Sequence, residues 1–137
     1  MNKDKSFKGL RIAVGIGSAA AFAVILLACL LPRIKLMELQ KRVTPLLRDS
    51  IEYVQNEKHD AALLSIGKML EIIEDRAPDL MLMYDHSRLE DLEYAAKTAL
   101  ELAKAEDKTQ LLTELTLIEI KLKYMQYSNE ISLKELL

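Results

Sequence analysis

Twenty consecutive residues, Ile12–Leu31, carry no charge. No other feature limits the fold as strongly. As an α-helix the run is about 30 Å long, the thickness of a bilayer's hydrocarbon core. Leu, Ile, Val and Phe fill half of its positions. At about −0.3 to −0.6 kcal/mol each near a helix centre, they favour insertion by about −4 kcal/mol. The remainder are Ala, Gly, Ser and Cys, which cost little in lipid. The expectation is a basic tail over residues 1–11, a transmembrane helix over 12–31, and a domain over 32–137 that begins at Pro32.

Three other readings of the run have weaker physics. A cleaved signal peptide has a shorter apolar core and a small-x-small exit, whereas this run ends Cys29-Leu30-Leu31-Pro32-Arg33. Leu26-Leu27-Ala28-Cys29 resembles a lipobox, in which the cysteine receives lipid. Leu27 is off-pattern for one, and Leu30-Leu31 is too apolar after it. Gly15-Ile16-Gly17-Ser18-Ala19-Ala20 matches a dinucleotide fingerprint. That motif needs a βαβ unit and an acidic residue about 20 positions on. Lys35 stands at that offset and no second strand follows. The small residues have a better use in helix packing. Ala13, Gly17 and Ala21 share one helix face, the arrangement that lets helices approach closely in lipid. They are the candidate membrane-helix packing residues.

Charge divides at the end of the run. Lys3, Lys5, Lys8 and Arg11 against Asp4 give residues 1–31 a charge of +3, so the overall −2 leaves −5 on residues 32–137. An acidic domain repels phosphate backbones, so no nucleic-acid partner is expected. The expected partners are membrane lipid and either another protein or a second copy of the chain. Four Lys/Arg precede the run, and Arg33, Lys35, Lys41 and Arg42 follow it closely. The positive-inside count therefore ties. A short basic tail before a first span usually stays cytoplasmic, which would put the domain outside. The lone cysteine, Cys29, lies in the run. The domain thus has no disulfide framework and no thiolate metal site.

Past Pro32, Leu36, Leu39, Val43, Leu47, Ile51 and Val54 recur at a helical period. Thr44-Pro45 predicts a helix restart, Thr as cap and Pro as first residue, or a kinked continuous helix. Gln55–His59 reads as a turn and Asp60 as the next N-cap. Leu63, Ile66, Leu70, Ile73 and Ala77 form a second seam. Gly67 beside it suggests a close helix crossing, and Pro78 a stop or restart. Leu82, Leu89, Leu92, Ala96, Ala99, Leu100 and Ala103 carry a third stripe. Asp107–Gln110 is a capping-box pattern opening a fourth helix. Its seam, Leu111, Leu115, Ile118, Leu122 and Met125, is the cleanest in the chain. Ser128-Asn129 predicts its end, and Ser132–Glu135 a second capping box. No stretch alternates with period 2. The fold class is all-α: an N-terminal transmembrane helix followed by a small antiparallel bundle of about four helices, since short connections force neighbours antiparallel.

Asp85-His86 before the third stripe, the Leu-rich segment Leu111–Met125 and the closing Ser132-Leu133-Lys134-Glu135-Leu136-Leu137 resemble an uncharacterised family of short bacterial membrane-anchored helical proteins, a domain of unknown function. Ile72-Ile73 stands where that family often has a tryptophan. The resemblance implies a bacterial membrane protein and assigns no catalytic residue. Tyr53 through Pro78 also has the rhythm of one tetratricopeptide-type hairpin, although a solenoid needs about three such units.

Candidate chemistry is sparse. Asp85-His86-Ser87 has the letters of a hydrolase triad, but adjacent helical residues point too far apart for a relay. His86 and Glu90 stand at i, i+4, which is only part of a metal site. Neither cofactor nor metal is expected. Leu80-Met81-Leu82-Met83-Tyr84 is apolar all round a helix. Methionines suit adaptable surfaces as well as core gaps. Met81, Met83 and Tyr84 are the candidate partner surface. The functional expectation is a single-pass, membrane-anchored, non-enzymatic interaction or structural module. The alternative is an extracytoplasmic bundle sensing a small molecule or signal.

Overall fold

The structure, a computed structural model, describes the backbone over residues 2–136 and side chains over 5–128. Four helices follow in order: α1 Asn2–Gln55, α2 His59–Met81, α3 His86–Lys104 and α4 Lys108–Leu136. The chain divides into two compact units, Met1–Arg33 and Ile34–Leu137. The first is helix alone, and its side chains from Lys5 to Leu31 are all exposed. Among the described residues α1 is the one helix long and apolar enough to cross a membrane, and none of its most apolar stretch is buried.

In the second unit, the part of α1 from Ile34 onward packs with α2, α3 and α4 as a four-helix bundle. Leu36, Leu39, Val43, Leu47 and Val54 of α1 are buried in one cluster with residues of the other three helices. Lys108 at the start of α4 donates to the Gln55 carbonyl at 3.4 Å and pairs with Glu57 at 3.5 Å. The α1–α2 and α3–α4 turns therefore share one end. At the other end Arg76 of α2 pairs with Glu38 of α1 at 3.1 Å, and Gln40 Nε2 donates to the Leu122 carbonyl at 2.7 Å. Consecutive helices run antiparallel, and α4 returns beside α1.

The two turns at the shared end are alike. Lys58 donates to the Tyr53 carbonyl and Glu57 to that of Val54, while Asp107 and Glu106 donate in the same way to Leu102 and Ala103. These are Schellman caps. Glu57 and Glu106 hold the left-handed position, at φ 58° and 57°. The expected turn after Gln55 is thus Asn56–Lys58. Asp107 caps α4 as expected, its carboxylate accepting from the Gln110 amide at 3.1 Å.

Several expectations need correction. At Thr44-Pro45 the helix does not restart, and α1 is continuous, the second of the two readings; at Pro78 α2 neither stops nor restarts. Both prolines are exposed, with buried residues of the same core on either side of each. Core packing outweighs one lost backbone bond. Asp60 lies in the first turn of α2, not at its cap; Lys58 holds that position without a side-chain bond. Gly67 marks no close crossing, because a Cβ there meets nothing within 4 Å. The α2 core face is centred on Ala62, Ile66, Met69 and Ile73, and Leu63 and Leu70 are only half-buried. Leu82 lies past the end of α2 and is 85% exposed. α4 continues through Ser128-Asn129, where no proline or glycine stops it. The side chains of the Ser132–Glu135 capping pattern, and so of the closing family motif, lie outside the described residues.

Two buried polar side chains of the described residues meet in the core. Ser50 of α1 and Ser65 of α2, both buried, stand 3.0 Å apart, and each hydroxyl lies within bonding distance of the Leu46 carbonyl, at 2.7 and 2.9 Å. The pair satisfies itself, as a buried hydroxyl must.

Candidate functional site

α4 is apolar on two faces. Leu111, Leu115, Ile118, Leu122 and Met125 are all buried in the bundle. On the opposite side Leu117, Ile120, Tyr124 and Tyr127 step 3, 4 and 3 residues, which makes a second helical seam. These side chains are 41%, 55%, 60% and 61% exposed. An ordinary bundle helix turns a polar face outward, so among the described residues of the bundle no apolar side chain covers this seam.

The borders of the seam are basic. By helical position Lys121 flanks it on the α3 side and Lys123 on the α1 side. Lys123 is held by Glu119 at 2.8 Å. From α3, Arg88 lies over the Tyr124 ring at 5.3 Å and donates to Ser128 Oγ at 2.8 Å. Its Nε also stands 3.6 Å from Asp85. Between α1 and α4 runs an open groove of about 430 Å³, lined by Met37, Lys41, Pro45, Arg48 and Asp49 among others, with Gln126 of α4. Pro45 has no N–H, so the Lys41 carbonyl lacks its usual donor four residues on. Among the described residues Lys41, Arg48 and Lys121 have no ion pair.

The residues singled out from sequence fall in different places. Ala13, Gly17 and Ala21 are exposed on α1, and a Cβ on Gly17 meets nothing within 4 Å. Met81 and Tyr84 are partly buried and pack on the core, while Met83 is exposed. The Tyr84 hydroxyl donates to the Met125 carbonyl at 3.3 Å. Burial raises its pKa above the usual tyrosine value, and Arg88 offsets part of that rise. The proposed Met81-Met83-Tyr84 surface is therefore largely the packing at the α2–α3 junction. Tyr94 is also exposed, on α3.

Asp85 has a plain structural task, since its carboxylate caps α3 by accepting from the Ser87 amide at 3.1 Å. His86 and Glu90 are exposed. Among the described residues no three His, Cys, Asp or Glu side chains converge as a metal site. On α3, Lys97 bonds Glu93 and Glu74, which raise its pKa in that order.

Sequence reading missed Leu117 and Ile120. The signal was present as a second 3-4-3 spacing interleaved with the first. The stronger inner seam, with its aliphatic residues in every place, drew the assignment. No family model matches the chain, and no curated protein and no solved structure matches it.

Proposed function

We propose that the chain is a single-pass membrane protein, of the bacterial membrane-anchored kind it resembles, whose bundle is a non-enzymatic interaction module. Residues 12–31 are its anchor, its N-terminus is cytoplasmic, and its bundle lies outside the cytoplasm. The anchor reading is supported by the length and apolarity of α1 and by the full exposure of that stretch. The observation that carries the interaction reading is the second apolar seam of α4. Exposed apolar area of this kind, bordered by polar residues, marks a docking face. Four large side chains in register form such a face, whereas singly scattered ones do not.

Photo-crosslinking in the native membrane tests the proposal. A photoreactive residue at Ile120 is expected to give a discrete protein adduct, and one at Glu101 on exposed α3 is expected to give none. The protein should stay with the membrane through an alkaline carbonate wash. Release by carbonate would remove the anchor. Equal or absent labelling at the two positions would remove the docking face. Protease protection fixes the orientation: digestion of the bundle in intact cells is expected, and resistance there would reverse the topology.

A further inference from the structure

The charge around the α4 seam runs against the charge of the domain. Residues 32–137 total −5, yet Lys121 and Arg88 border the seam on one side, and Lys123, Lys41 and Arg48 lie toward the other. We propose that the outer face of α4 seats one amphipathic helix of a partner protein, with acidic side chains flanking the partner's apolar seam. The proposal rests on the interaction-module reading above and names the chemistry of the occupant.

A helix fits the site because Leu117, Ile120, Tyr124 and Tyr127 form a ridge about 15 Å long at 1.5 Å per residue. Ridges of that spacing pack into the grooves of another helix. The area is that of one helix. Stable dimers of globular chains commonly use about 20–30 residues a side.

Acidic flanks follow from the cations. Lys41, Arg48 and Lys121 have no ion pair among the described residues, so a carboxylate arriving there meets charge not already neutralised. Asp49 in the groove and Glu119 on Lys123 limit the effect and leave it strongest at Lys121, Lys41 and Arg48. A second copy is a poor occupant, since paired α4 faces would set Lys121 and Lys123 against the same lysines of the other chain. An anionic bilayer is also poor. Its phosphates suit the lysines but offer no hydrogen to the Lys41 carbonyl, which lacks its usual backbone donor at Pro45. A peptide can offer that carbonyl an N–H or O–H donor.

The test uses the full-length chain in nanodiscs of phosphatidylcholine. The probe is a fluorescein-labelled helical peptide with Leu and Ile on one seam and Glu on both flanks. A sister peptide carries Lys in place of Glu. The Glu peptide is expected to bind. Its affinity should fall by about tenfold or more in Ile120→Asp and in Lys121→Glu, and be weaker by a similar factor for the Lys peptide. Tyr124→Asp is a second variant at an exposed position, and circular dichroism checks that each variant stays helical. No binding of the Glu peptide, or binding unchanged in helical Ile120→Asp and Tyr124→Asp, would overturn the proposal. Equal binding of the two peptides would overturn the acidic partner while leaving the docking face in place. Hydrogen exchange over residues 113–127 slowed by phosphatidylserine discs and not by the peptide would assign the face to lipid. A dimer abolished by Ile120→Asp would assign it to a second copy. Either result sinks the proposal, whereas the interaction-module reading stands or falls on the crosslinking.

Discussion

Gly67 lies in the interior of α2, and a Cβ built there meets open space. Glycine costs a helix interior about 1 kcal/mol against alanine. Gly67→Ala is therefore expected to stabilise the bundle by about that amount, read as a higher denaturant midpoint at unchanged slope. Glu57 has the opposite problem. It holds a left-handed position at φ 58°, where an L-residue carries a penalty of about 1–2 kcal/mol. Glycine's greater unfolded freedom returns part of that, so Glu57→Gly should stabilise by up to about 1 kcal/mol, by the same measurement. A destabilised variant in either case would mean that the site is more crowded or the turn less strained than its geometry indicates. Single residues were unevenly legible in the sequence. Asp107 was readable because a cap works through bonds to its own neighbours. Gly67 was misread because a close crossing depends on a distant helix.

Helices α1 and α4 each depart from the simplest amphipathic pattern. α1 keeps Pro45 in its interior because Val43 and Leu47 on either side are buried in one core. Removing the proline restores a backbone donor for the Lys41 carbonyl. Pro45→Ala is expected to raise the stability of the bundle by up to about 3 kcal/mol, measured by chemical denaturation. An unchanged midpoint would show that the helix had already relaxed around the missing bond. In α4 the inner seam was legible because five aliphatic residues share one period. The outer seam has the same period, and periodicity alone does not say which of two stripes a core will take. The chain also places Ser50 and Ser65 on apolar faces. That they meet across α1 and α2, within reach of the Leu46 carbonyl, depends on the relative register of two helices, which neither helix encodes alone.

The second unit, Ile34–Leu137, contains the whole buried cluster. Removal of residues 1–31 should therefore leave a helical domain that unfolds cooperatively in water. Its stability is expected on the order of 5–15 kcal/mol, the usual range for a small domain, and circular dichroism with urea reads it. A largely disordered product would show that the apolar helix is needed to fold the bundle. By itself the sequence determined the helical class, the long apolar stretch of α1, the near-complete inner seams of α1 and α4 and the cap at Asp107. These follow from local bonding and from side-chain period along a single helix. Tertiary structure alone decided that Pro45 and Pro78 stay inside helices, that Met81 and Tyr84 turn toward the core, and that Leu117, Ile120, Tyr124 and Tyr127 remain outside. Each of these outcomes is a competition for one buried volume, and three neighbouring helices had to be in place before it could be settled.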